Sequence, residues 1–270
     1  KSVESTMQIT KAMELVASSK LRKAKERQER CRPYFTGLHQ TLENIEKAAS
    51  DFSSPYQKQR DIKKSCVIVI AGDRGLAGGY NSNVFKSVLP LIEGGNVCVL
   101  PIGKRTVEFF TRNQVEILTT EFAEAADVSV ADCFTISNLI TKGYLDGQFD
   151  AVSIVYTQFV SMLTQTPVCD NLLPLKKTDS AAKSGVHSLV LYEPSPSAVY
   201  DAIVPNYIAG MIYGAMCESV ASELGARRTA MDAASKNASE MIDDLSLRYN
   251  RARQGAITQE ITEIVAGAEH

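Results

Sequence analysis

Catalytic signatures are missing from this 270-residue chain. It contains no GxSxG, HExxH or GxxxxGKS/T pattern, which removes the usual sequence signs of a nucleophilic serine, a catalytic zinc or a phosphate-cradling lysine. Six cysteines (31, 66, 98, 133, 169 and 217) form no CxxC pair and lie more than thirty residues apart. The three histidines (39, 187 and 270) share no metal-ligand spacing with them. No catalytic residue, metal or cofactor is therefore expected. A net charge of −2 gives no whole-molecule field toward nucleic acid or an acidic membrane. Apolar runs such as CVIVIA at 66–71 are far too short to span a bilayer. No signal peptide opens the chain. A helical pattern is already running at Lys1, so residues preceding it are expected. Cys66 and Cys98 lie in strand-like runs, and the cysteines are expected to be buried, reduced thiols of a cytosolic protein.

What remains is ordinary globular composition, 44% apolar and 22% charged, arranged in three segments. From residue 1 to about 55, Val3, Met7, Thr10, Met13, Ala17, Leu21 and Ala24 recur at helical steps. Cys31, Phe35, Leu38, Leu42 and Ile45 resume the rhythm. Pro33 should kink or break this helix. KLRKAKERQERCR at 20–32 carries seven basic and two acidic residues. It is either a solvated helix face or a basic collar for an acidic partner. DFSSPYQKQRD at 51–61 reads as a linker. Strands and helices then alternate over 62–195. Strands are expected at 66–71, 96–103, 115–118 and 149–159, with edge-type strands in TPVCDNLLPL and VHSLVLYEP. Helices are expected at about 81–92, 104–112 and 128–146. That order implies α/β architecture with a mostly parallel sheet. Helix returns over 198–270, with Pro205 suited to its first turn. The domain boundaries expected are 1–60, 61–197 and 198–270.

Length then constrains the arrangement. At 1.5 Å per residue the helix from 206 onward is about 95 Å long, whereas a domain of roughly 130 residues is only about 35–40 Å across. Both terminal helices must project, and an antiparallel coiled coil is the simplest pairing. Its expected seam is Ala230, Ala234, Ala238, Met241, Leu245, Tyr249, Ala252 and Ala256. An alanine seam buries little at about 25 cal/mol per Å2, so the pair suits an enclosing sleeve better than open water. AGDRGLAGGYN follows the first strand, where phosphate loops occur. Its GxxGxxGG spacing fits neither GxGxxG nor a Walker loop, and a tight packing turn is the favoured reading over a bound nucleotide.

Three motifs together resemble the gamma subunit of F-type ATP synthases: QITKAMELVASSKLRKAKE, DRGLAGGYN and YNRARQGAITQEITEIVAGA. The resemblance spans essentially the whole chain, and its wording is closer to bacterial than mitochondrial forms. It implies a left-handed antiparallel coiled coil of the terminal helices, turning inside a hexamer of alternating alpha and beta subunits. It also implies a Rossmann-like central domain facing the membrane, against the epsilon subunit and the c-subunit ring. The implied role is a non-catalytic rotor shaft coupling proton-driven rotation to ATP synthesis or hydrolysis at the alpha–beta sites. Localisation follows as peripheral, on the cytoplasmic face of the bacterial cell membrane. The family's Arg-Gln contact with a beta-subunit loop maps to Arg253 and Gln254, with Thr258, Gln259 and Glu260 on the same face; a merely solvated face is the competing reading. Lys11, Met13 and Arg227 match further beta-contact positions, although Met13 fits a seam residue better. Leu224-Gly225, Arg228 and the GAEH ending depart from the family pattern. The chloroplast regulatory insert is absent, so no thiol switch is expected. The alternative is an α/β nucleotide-binding enzyme with a dimerising coiled coil.

Overall fold

The computed structural model describes residues 1–48, 53–126, 128–176 and 190–268, with side-chain burial described as far as Ile264. Two long helices bracket a small α/β unit. Helix α1 (Ser2–Ala48) and helix α5 (Pro196–Ala268) contain 47 and 73 residues. Between them lie β1 (Ser65–Ile70), α2 (Tyr80–Glu93), β2 (Val97–Ile102), α3 (Lys104–Arg112), β3 (Glu116–Ile117), α4 (Val130–Leu145), β4 (Ala151–Phe159) and β5 (Gln165–Leu173).

The sheet order is β3-β2-β1-β4-β5. The first four strands run parallel, and β5 returns antiparallel beside β4. Pro167 sits on that edge strand, where a missing N–H costs no internal ladder bond. Alternation along β1 decides which layer each residue meets. Cys66, Ile68 and Ile70 face α4 and α5, while Val67 and Val69 face α2 and α3. Phe85 and Phe109 stack at 4.2 Å and close the second layer. Ser129 caps α4 in a reciprocal capping box with Asp132.

Helices α1 and α5 pair antiparallel. Thr10 meets Ser235 through a buried 2.7 Å hydroxyl contact. Farther along, Phe35 lies against Gly210 and Tyr213, and His39 stacks on Tyr207 at 5.5 Å. Tyr200 donates to Glu46 at 2.8 Å. The α1 face expected from periodicity is the face turned to α5, with Thr10, Ala17, Leu21, Leu42 and Ile45 buried.

Several elements differ from expectation. Helix α1 (Ser2–Ala48) runs unbroken through Pro33. Packing of Phe35 and Cys31 on either side against α5 outweighs the proline's local cost. Part of the anticipated linker, 49–52, lies outside the described residues, and Pro55–Gln57 forms a 3-10 turn. Helix α5 begins at Pro196, so Pro205 stands inside it rather than in its first turn, and its carbonyl accepts a 2.6 Å bond from Ser137. The strand expected at VHSLVLYEP is not seen over Val190–Tyr192, and residues 186–189 lie outside the described residues. Cys66, Cys98, Cys133 and Cys217 are buried, but Cys169 on the edge strand is exposed.

The Phe35–Gly210 contact yields a test. A Cβ at Gly210 would overlap the Phe35 ring. Gly210→Ala gains roughly 1 kcal/mol of helix propensity but forces the ring out of its seat. We expect a net loss of about 1–2 kcal/mol in denaturant melts; a more stable variant would contradict this packing.

Candidate functional site: shaft surface and glycine loop

The loop after β1 stands where a parallel sheet offers a ligand crevice. Connections leave β1 toward β2 on one side, and β4 flanks it on the other, so the order reverses between β1 and β4. The chain fills that crevice itself. Helix α5 crosses it, with Ser222 donating to the Thr157 carbonyl at the end of β4 at 3.0 Å. Across the gap, the Glu223 carboxylate sits against Gly72, 2.8 Å from where a Cβ would stand. Arg227 donates to Glu223 at 2.6 Å and to the Gly75 carbonyl at 3.3 Å. Tyr80, the first residue of α2, meets Ser219 at 2.7 Å. Burial pushes the Tyr80 hydroxyl pKa far up, so it remains a neutral hydrogen-bonding group.

Loop geometry also supplies its own anion. Asp73 accepts backbone N–H bonds from Lys104 (3.1 Å), Ala125 (2.9 Å) and Ala126 (3.1 Å). Lys104 is the first residue of α3, where free N–H groups attract negative charge. Gly103, with φ of 107°, caps that helix against the Ala71 carbonyl, where a Cβ would collide. Asn81 ties the loop back, accepting from the Gly72 N–H at 2.9 Å and donating to the Arg74 carbonyl at 3.2 Å.

Above the domain the shaft is thin. Ala17, Leu21, Ala221 and Leu224 cluster where it leaves the sheet, with Phe159 and Met162 packed beside them. Farther out, the buried side chains of α5 are Met231, Ser235 and Ala238. Of the expected seam, Ala238 is buried and Ala230 and Ala234 are half-buried, whereas Met241, Leu245, Tyr249, Ala252 and Ala256 are exposed. Two causes combine. The three-and-four phase favours Met231 and Ser235 over their neighbours. The Thr10–Ser235 register also places Ser2 opposite about residue 243. From Asp243 to Ile264 every side chain is exposed.

The expected beta-contact residues fall into two belts. Arg253, Gln254, Thr258, Gln259 and Glu260 are all exposed near the far end of α5. Among the described residues, Arg253 and Glu260 have no ion-pair partner, and Gln259 bonds Glu263 at 3.0 Å. Beside them, Ile257, Ile261 and Ile264 form an exposed apolar stripe at helical spacing, a feature the sequence reading passed over. The second belt lies nearer the domain. Lys11 is exposed and paired with Glu14 at 2.8 Å, while Met13 is half-buried. Arg227 is turned inward, with its side chain only 15% exposed. The basic stretch 20–32 is mostly exposed, with Lys25 lying 4.2 Å over the Phe159 ring. Sequence reasoning missed Glu223, Ser219 and Ser222, because nothing local connects a helix near residue 220 to a loop at 72.

Comparison with known proteins agrees over the full length. A family model described as ATP synthase matches residues 1–270. The ATP synthase gamma chain of Ruminococcus albus is 46% identical over 269 residues, covering 98% of this chain and 93% of that one. The chain belongs to the ATP synthase gamma chain family. A gamma chain described as sodium ion specific, from Acetobacterium woodii, is another family member, 41% identical over 287 residues and covering 100% of this chain and 95% of its own length. In solved structures, the rotor of the Euglena gracilis mitochondrial ATP synthase matches with a TM-score of 0.63, at 19% identity and 95% coverage of both chains. The central stalk of the Tetrahymena thermophila mitochondrial enzyme matches at 0.61, with 22% identity and coverage of 84% and 99%. These chains share the fold described above.

The Asp73 cradle can be tested within this gamma-family chain. Asp73→Ala strips an acceptor from three backbone N–H groups and should cost about 1–2 kcal/mol in urea unfolding. Asp73→Asn retains an oxygen acceptor and should cost less; equal losses would count against the cradle.

Proposed function

We propose that this chain is the central rotor shaft of an F-type ATP synthase. It couples proton-driven rotation of the membrane ring to ATP synthesis or hydrolysis in an alpha–beta hexamer. The observation that carries this reading is the run from Asp243 to Ile264, exposed around its whole circumference. Most helical stability in proteins comes from packing an apolar face, and three isoleucines on one side favour burial against a partner. A rotor also needs a surface without deep anchors, because a strong hot spot would hold it in one pose. The thin seam of Met231, Ser235 and Ala238 fits that requirement.

On this reading the chain performs no catalysis. Chemistry occurs at the alpha–beta interfaces, and the crevice that could hold a nucleotide here is occupied by Glu223, Arg227 and Ser222. Arg253 and Gln254 meet a beta-subunit loop, where a guanidinium can engage a carboxylate bidentately. Thr258, Gln259 and Glu260 continue that contact, and Lys11 and Met13 serve the lower belt. Arg227 belongs to the chain's own interior contacts more than to that belt. The functional division is a shaft of 1–60 and 198–270 around a central unit of 61–197. The central unit faces the epsilon subunit and the c-subunit ring, peripheral on the cytoplasmic side of the bacterial membrane. Among the described residues no helix is long and apolar enough to cross a membrane.

Replacing Arg253 and Gln254 by alanine should slow ATP turnover of the assembled complex severalfold, about 1 kcal/mol of lost contact. Melting of the isolated chain should stay unchanged, since both side chains are exposed. Unaltered turnover would remove the contact from the reading. Titration of the isolated chain with ATP, ADP and NAD tests the enzyme alternative: no saturation in the micromolar range is expected, and saturable binding would favour that alternative.

A further inference from the structure

The glycine motif GDRGLAGG does something other than hold a ligand. Each of its structural demands is met by the shaft. Gly72 lacks a Cβ where the Glu223 carboxylate rests. The Gly75 carbonyl accepts from Arg227. Arg227 and Glu223 are bound to each other, with side chains 15% and 14% exposed. Leu76 (φ 62°) and Gly78 (φ 56°) turn the backbone through the left-handed region, which swings the Gly75 carbonyl and Tyr80 onto α5. Asp73 and Asn81 pin the same loop to α3 and to the start of α2.

The position on α5 matters as much as the contacts. Toward the base, α5 packs mainly through the apolar Val204, Ile208, Ile212 and Met216, with polar bonds at Tyr200, Asp201 and the Pro205 carbonyl. Apolar packing is non-directional and resists twisting of a helix about its axis only weakly. From Ser219 onward polar contacts crowd onto one face of the helix. Ser219, Ser222, Glu223 and Arg227 lie at helical spacing on one face, and each makes a directional polar bond, to Tyr80, the Thr157 carbonyl, Arg227 and the Gly75 carbonyl respectively. Thr229 adds a 3.3 Å bond to the Met162 carbonyl. Among the described residues these are the polar bonds from α5 to the α/β unit that lie farthest toward its exposed end.

We infer that the glycine loop and the Glu223–Arg227 pair form a torsional key, locking the shaft helix to the α/β unit so that torque passes between them without slip. The key rests on the rotor reading. Arg227 and Glu223 act as positioning residues, fixing the angle of α5 on its domain.

The test uses the complex assembled with its alpha and beta subunits, the hexamer held on a surface. A bead is attached at exposed Cys169 on β5, in a Cys31→Ser background. Angular fluctuation of the bead during a stalled dwell reports torsional stiffness. Arg227→Met should widen the variance about twofold. Gly72→Ala should do likewise while keeping both charges, since its Cβ displaces the Glu223 carboxylate. Arg227→Lys keeps the charge pair without the second bond and should fall between. If Arg227→Met and Gly72→Ala both turn with unchanged variance, the key is overturned, even if their melting temperatures fall. If the chain with Arg227 and Gly72 intact produces no rotation, the rotor reading fails instead.

Discussion

Two helices much longer than the domain between them must bury their apolar faces on each other, and the rest of the molecule follows from how little they have to bury. Ala17, Ala221 and Ala238 let the axes approach closely but remove little surface from water. The Thr10–Ser235 pair adds one buried hydrogen bond of about 1 kcal/mol. Among the described residues, the large buried side chains of the projecting shaft are Leu21, Leu224 and, farther out, Met231. The shaft is therefore secured firmly at one end and progressively less toward the other. Such a gradient suits an element that works among partners, because the exposed end offers contact without a deep anchor.

The α/β unit turns a familiar architecture to a mechanical use. Parallel strands followed by helices leave a crevice at the switch between β1 and β4, and in many folds a ligand enters there. Here a helix of the same chain enters it. The positive end of α3 is satisfied by Asp73 rather than by a phosphate. The free edge of the glycine loop is taken by Arg227. Glycine at 72 is explained by the approach of Glu223, and the unusual GxxGxxGG spacing by backbone that must meet a helix instead of a pyrophosphate. Fold and site thus separate cleanly: the sheet positions the crevice, and α5 decides what occupies it.

Much of the architecture was legible in the chain. The strand-like runs alternating with helical stretches over 62–195, the helical steps from Val3 to Ala24 and the length of the final helix predicted the α/β unit, the inward face of α1 and the antiparallel pairing. These follow from local periodicity and from rise per residue, which need no tertiary information. The motifs at both ends also carried the family resemblance. The seam of α5 was less legible. Ala230, Ala234, Met241 and Leu245 share a three-and-four rhythm with Met231, Ser235 and Ala238, and in an alanine-rich helix several faces are equally apolar.

The tertiary structure alone decided the rest. Which face of α5 turns inward depends on where α1 lies, and which part of it stays exposed depends on the register set by Thr10 and Ser235. Pro33 was read locally as an interruption and Pro205 as the opening of a helix, yet both stand inside helices, with Phe35 packed against α5 and the Pro205 carbonyl bonded by Ser137. Arg227 resembled a contact for a partner until Gly75 and Glu223 were found beside it. Those partners lie 152 and 4 residues away in the chain. Periodicity reports what a segment repeats with itself, and contacts between distant segments leave no mark in it; only folding brings them within hydrogen-bonding distance.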